Sequence, residues 1–109
     1  MYRRGAVWMV ELPNLGPKPA VIVSSRLVTL KLNPIVARIT SVARERTLAT
    51  VVALSAGEVE DLPEASFVLA HDLFTLGEGG LVTYLGWLQS DRLFEVDEAV
   101  LTALGVNTI

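Results

Sequence analysis

The chain has 109 residues, of which 51% are apolar, with nine basic and twelve acidic side chains for a formal charge of −3. That length holds one core and leaves no room for a separate cofactor module, so one domain over residues 1–109 is expected. With no cysteine and a single histidine, His71, disulfides, thiolate metal sites and a paired-histidine ribonuclease are excluded, and neither a metal nor another cofactor is expected.

Taken in chain order, the first β run is Val7 to Leu12, ended by the loop Pro13-Asn14-Leu15-Gly16-Pro17. Lys18 follows, a lone cation between two prolines at the mouth of a second strand, Ala20 to Ser24. A third strand, Ile35 to Thr40, is entered through Asn33-Pro34. A fourth covers Leu48 to Leu54, and an acidic loop bracketed by Ala56-Gly57 and Leu62-Pro63 leads to a fifth, Ser66 to Ala70. Leu81 to Leu88 makes a sixth after the turn Gly77-Glu78-Gly79-Gly80. Val21 to Ser25 and Val51 to Leu54 carry β-branched side chains on both pleat faces, which predicts central, doubly covered strands. From Asp91 onward the period changes. Leu93, Val96, Val100 and Ala103 with Leu104 recur every three or four residues, a helix with Ser90 as N-cap, Asp91 at the positive end of the dipole and Gly105 at C′. The fold class is therefore mainly β with a C-terminal helix, a small, partly open barrel on which that helix packs. No apolar run approaches the roughly 18 residues of a membrane span, and Glu11, Asn14 and Lys18 interrupt any signal sequence after Met1, so a cytoplasmic protein is expected.

Charge is distributed unevenly. Eight of the nine basic residues precede residue 47, against Glu11 and Glu45, a net of +6, while the remainder sets Arg92 against ten acids, a net of −9. Either one surface attracts a polyanion while the other keeps the protein soluble, or the fold mixes the two sets into ordinary surface pairs. Lys18 can hold a phosphate or stabilise charge on a phosphorane-like transition state, or it is a solvated turn that blunts a sheet edge. Thr40 and Ser41 end a strand where hydroxyls can bond a phosphate oxygen. Alternation puts Arg38 on Thr40's face, their Cα atoms about 6.5 Å apart; the alternative for Arg38 is a surface pair with an acid of the second half. Arg44 and Arg46 can extend a cationic track, and Arg26 is a further candidate for phosphate contact. Trp8 and Trp87 read as core or interface residues, and His71 as a structural histidine.

Six segments in register resemble the MazF/PemK toxins. Arg4-Gly5-Ala6-Val7-Trp8, Lys18-Pro19-Ala20-Val21-Ile22-Val23-Ser24 and Arg38-Ile39-Thr40-Ser41 are similar to the family's opening, second-strand and third-strand motifs. Phe74-Thr75-Leu76, Gly86-Trp87-Leu88 and the stretch from Leu93 to Gly105 resemble its later segments. The resemblance implies a homodimer of SH3-like barrels that acts as the toxin of a type II toxin-antitoxin system. Its members cleave single-stranded RNA without metal, the ribose 2′-hydroxyl attacking the adjacent phosphate to leave a cyclic phosphate and a 5′-hydroxyl. It also implies an antitoxin whose acidic, partly disordered tail covers the basic groove. By position the family's catalytic arginine falls on Lys18 and its catalytic threonine on Thr40. Lys18 keeps the charge without the guanidinium fork, and Arg38 stands where the family has proline or alanine, so Arg38 is the candidate to supply the fork that Lys18 lacks. Two alternatives follow from the same resemblance: a member that binds antitoxin and RNA without cleaving, and a gyrase-binding toxin like CcdB.

Overall fold

The computed structural model describes residues 1–42 and 46–106. Its elements are β1 (Ala6–Leu12), β2 (Gly16–Ile22), α1 (Arg26–Lys31), β3 (Ile35–Thr40), β4 (Val51–Leu54), β5 (Ser66–Thr75), β6 (Leu81–Trp87) and α2 (Ser90–Ala103). The six strands form one sheet in the order β4-β5-β3-β2-β1-β6, each pair antiparallel. Its two edges, β4 and β6, do not pair; the loop after β4 spans the gap, the Asp61 N–H donating to the Leu85 carbonyl at 2.9 Å. This is the mainly β, partly open architecture with a C-terminal helix that the sequence predicts.

Both faces of the curved sheet carry apolar side chains, and alternation sorts them. One face presents Val7, Val21, Ala37, Ile39, Val52, Leu54 and Val68 to α2, whose Val96 and Ala99 close the main core. The other buries Ala6, Trp8, Val10, Ala20, Ile22 and Val36 with Leu76. Removing a side chain of this size from water stabilises the fold by roughly 1.5–3 kcal/mol, so these two layers carry most of the driving force. Trp8 is 5% exposed, held between Tyr2 and Tyr84 at ring-centroid distances of 5.2 and 5.6 Å, and its indole N–H donates to the Met1 carbonyl. Trp87, read as a core or interface residue, is not in the core: it is 45% exposed, with the Arg3 guanidinium 4.2 Å from its ring centre.

Other expectations also shift. Val51–Leu54 is an edge strand, not a central one: Val52 and Leu54 face the core, while Ala53 between them is exposed. β5 runs to Thr75, five residues beyond the predicted end, because it has two neighbours to satisfy, β4 near its start and β3 along most of its length. The second strand ends at Ile22, and Ser25 instead caps a short helix that the sequence pattern does not announce: its hydroxyl accepts the Val28 N–H at 3.3 Å. Leu27, Leu30 and Leu32 of that segment are exposed, so no amphipathic period marks it. A buried hydroxyl pair, Ser24 and Thr29 at 2.7 Å, ties its first turn to β3 through the Ile35 N–H, which donates to Ser24 Oγ. In α2 the N-cap is Gln89, with no side-chain cap bond, and Ser90 is the first helical residue. The helix ends as predicted at Gly105, whose φ is 75°. Val106 N–H returns to the Leu101 carbonyl and Gly105 N–H to Thr102, a Schellman closure. Because Val96 and Ala99 set the inward stripe, Leu104 is left exposed.

Candidate functional site

The hairpin that carries Lys18 is tighter than its prolines suggest. Leu15 N–H closes on the Leu12 carbonyl at 3.2 Å. Asn14 takes φ 62°, the positive value that position i+2 of a type II turn requires after a proline. Only three residues link β1 to β2, and Gly16 already pairs with Leu12. Lys18 therefore lies inside β2, opposite Val10, rather than at a strand mouth.

Backbone direction explains how two prolines fit there. Along this stretch the odd-numbered residues turn their N–H toward β3, as Val23 does in donating to the Ile35 carbonyl at 2.9 Å. Pro17 and Pro19 occupy odd positions, so pairing to β1 loses nothing, while β3 meets two residues with no donor. The β2–β3 ladder runs Ile22 to Val36, Val21 to Ala37 and Ala20 to Arg38, and stops there. Continued, the same register would set Lys18 against Thr40 and Pro17 against Ser41. The strands part instead and leave a groove of about 370 Å³. Pro17, Lys18 and Pro19 form one wall, Arg38 to Ser41 the other, and Leu62, Pro63, Glu64 and Ser66 complete it.

The predicted site residues divide accordingly. Lys18, Arg38, Thr40 and Ser41 line one groove. Among the described residues no carboxylate lies within ion-pair distance of Lys18. Thr40 Oγ1 donates to the Val42 carbonyl at 3.0 Å and accepts the Val42 N–H at 3.1 Å, so its proton is engaged within the turn that follows β3. Arg46 lies with its guanidinium 5.5 Å from the ring of Phe67, which pairs with Thr40; Arg46 itself is not among the residues that line the groove. Arg26 is not among the lining residues; it opens α1, beyond the end of β2 remote from Lys18. Arg44 lies outside the described residues.

Arg38 has a partner that sequence reading did not single out. Its Nε donates to Asp72 Oδ2 at 2.7 Å, both side chains being partly buried. The contact depends on an excursion of β5: Ala37 pairs with Leu73, but the next residue, Arg38, pairs with Leu69. Three residues, Ala70, His71 and Asp72, are thereby spent on a bulge. Only Asp72's place on that bulge brings it to Arg38, and nothing in the local sequence marks it. His71 faces elsewhere and pairs with the Thr50 hydroxyl at 2.8 Å. The two charge halves are thus mixed in part, by Arg38 with Asp72 and Arg4 with Asp97, while Lys18 stays outside that pairing. Among the described residues no three His, Cys, Asp or Glu side chains group as metal ligands. No helix of the described residues is long and apolar enough to cross a membrane.

Comparison with known proteins decides the family. Residues 3–104 match a family described as PemK-like, MazF-like toxin of type II toxin-antitoxin system. The chain belongs to this toxin family. Among solved structures it is similar to an endoribonuclease from a mycobacterial species, at 29% identity and TM-score 0.80 over 98% of this chain and 94% of that one. A mycobacterial endoribonuclease solved in complex with its cognate antitoxin matches at 30% identity and TM-score 0.82 over 98% of each chain. The Mycobacterium tuberculosis toxin MazF-mt6 matches at 26% identity and TM-score 0.77 over 91% of this chain and 95% of that one.

Proposed function

We propose that this member of the PemK/MazF toxin family is a metal-independent, sequence-specific endoribonuclease that cleaves single-stranded RNA in the groove between β2 and β3. The observation that carries this reading is the opposition of Lys18 and Thr40 across the parted ladder. A phosphodiester entering there meets an ammonium on one wall and a hydroxyl on the other. The ribose 2′-oxygen attacks the neighbouring phosphorus and its bond to the 5′-oxygen breaks. The 2′-hydroxyl loses a proton, the 5′-oxygen gains one, and the products are a cyclic phosphate and a 5′-hydroxyl end. The ammonium of Lys18 faces the charge that builds on the phosphoryl oxygens, and a lysine, unlike an arginine, can also release a proton to the departing oxygen. Thr40 reaches the phosphate as a donor by exchanging its bond to the Val42 carbonyl for one to substrate. Arg38 and Ser41 hold the strand, and Arg46 extends the contact beside Phe67.

Mycobacterial relatives named as endoribonucleases, one of them bound to its cognate antitoxin, support the activity and a proteinaceous inhibitor. The inhibitor's acidic, partly disordered tail would compete for the same cations. A homodimer agrees with the apolar side chains left outside both cores, among them Leu27, Leu30 and Leu32.

The test is incubation of purified protein with a long single-stranded RNA in EDTA, followed by mapping of the new ends. Discrete cuts with 5′-hydroxyl termini, lost in Lys18→Ala and Thr40→Ala, are expected. RNA left intact at micromolar protein overturns cleavage. Retained binding of RNA and antitoxin would then assign the chain to a non-cleaving role, which the engaged Thr40 proton also fits.

A further inference from the structure

We infer that Arg38, aimed by Asp72, forms a second phosphate subsite beside the Lys18–Thr40 pair. The inference rests on the groove being an RNA site. Arg38 and Thr40 lie on one face of β3, with a spacing of ~6.6 Å, of the order of one nucleotide step of an extended strand. When Lys18 and Thr40 flank one phosphate, Arg38 is placed for the next.

The geometry of the ion pair indicates what Asp72 does. Asp72 takes the Nε–H of Arg38 at 2.7 Å, the inner edge of the guanidinium, and among the described residues no acceptor is shown for the two outer Nη groups. An arginine held in this way keeps its rotamer and directs two parallel N–H donors outward, the fork that grips two phosphate oxygens. The side chain is 25% exposed and lines the groove, so the fork has access. Asp72 is thus a positioning residue, acting through Arg38. The β5 bulge that supplies it interrupts the β3–β5 ladder; if it served only to neutralise Arg38, a surface charge could have done so without that interruption.

The two roles predict opposite signs. If Asp72 merely cancels Arg38, removing its carboxylate makes the groove more positive and RNA binds more tightly. If Asp72 aims the fork, the same substitution weakens binding despite the gain in positive charge. The probe is a fluorescent single-stranded oligonucleotide, 2′-O-methylated so that no nucleophile is present, titrated by anisotropy at several salt concentrations with each variant confirmed folded by circular dichroism. Arg38→Ala should weaken binding about tenfold and lower the salt slope by about 0.7, the loss of one phosphate contact on a single strand. Arg38→Lys should resemble Arg38→Ala, because an ammonium offers neither the fork nor the Nε–H that Asp72 holds. Asp72→Asn should weaken binding severalfold, and Arg38→Ala/Asp72→Asn should be no weaker than Arg38→Ala alone. A single methylphosphonate at the linkage adjoining the one held by Lys18 should abolish the difference between wild type and Arg38→Ala.

Tighter or unchanged binding by Asp72→Asn, wild-type affinity in Arg38→Lys, or absence of oligonucleotide binding by the wild type each overturns the inference. Cleavage of long RNA by the wild type alongside unchanged Asp72→Asn binding would remove the subsite and leave the ribonuclease. The expected variant pattern without any cleavage would remove the ribonuclease and leave the subsite.

Discussion

If the groove exists because Pro17 and Pro19 present no N–H to β3, restoring both donors should close it. In Pro17→Thr/Pro19→Val, residue 19 meets Ile39 and residue 17 meets Ser41 in the register already set by Ala20 and Arg38. Two new ladder hydrogen bonds at about 0.5–1.5 kcal/mol each give about 1–3 kcal/mol of stabilisation. Against this, freeing two prolines raises the entropy of the unfolded chain by about 0.4–1 kcal/mol each. The terms offset, so the melting temperature should move by only a few degrees, since 1 kcal/mol corresponds to about 4–8 °C in a domain of this size. The groove should respond far more. The amides of residues 17 and 19 should become protected in hydrogen exchange, and both RNA affinity and cleavage should fall as Lys18 and Thr40 are drawn together. Exchange of the residue 19 amide at loop rates, with affinity for the 2′-O-methyl oligonucleotide unchanged, would refute the account of why the strands part.

Other substitutions test separate parts of the structure. Lys18→Ala should lower the cleavage rate about a hundredfold, the scale of one lost charge-stabilising donor, while Lys18→Arg, which keeps the charge but cannot release the proton, should fall between wild type and Lys18→Ala; equal rates in all three proteins would take Lys18 out of the chemistry. Glu58 is held below the usual carboxylate range chiefly by its bonds from Arg92, at 2.7 and 3.0 Å, with burial opposing. A depressed carboxylate stabilises the fold above its unfolded value, near about 4.3, and loses that contribution as pH falls through its folded value. Wild type should accordingly melt above Glu58→Gln at neutral pH, with the gap closing on acidification below about pH 4; a constant gap contradicts the linkage. Gly86→Ala should cost about 1–3 kcal/mol from its φ of 134° alone, and more because its Cβ would also meet Val59 Cγ1 at 3.0 Å and Glu60 N at 3.1 Å. A melting temperature within one degree of wild type would show that β6 relaxes there.

Much of the fold is legible in local chemistry. β3 is read to the residue because apolar alternation and Asn33-Pro34 bracket it, and the end of α2 is read because a 3.6-residue stripe meets a glycine able to take a positive φ there. The first helix is missed because its six residues present leucines to solvent, so its only sequence mark is the Ser25 cap. β4 is misplaced to the sheet's interior because β-branched residues mark a strand without saying how many neighbours it has. At the site, the Arg38–Thr40 face follows from alternation alone, whereas Arg26 is carried to the far end of the sheet by a helix the pattern does not show.

What the sequence determined by itself is the set of strands, the terminal helix, the family, and the cation between two prolines, because each is written within a few residues of its own position. What only the tertiary structure decided is what those prolines do. Their missing donors matter only because β3, thirteen residues after β2, comes to lie on that side. Asp72 meets Arg38 only because β5 spends three residues on a bulge at that point. Lys18 therefore changes from a charge at a strand's mouth to one wall of a gap in a sheet, with Thr40 opposite, and that opposition is a property of register, which no single segment contains.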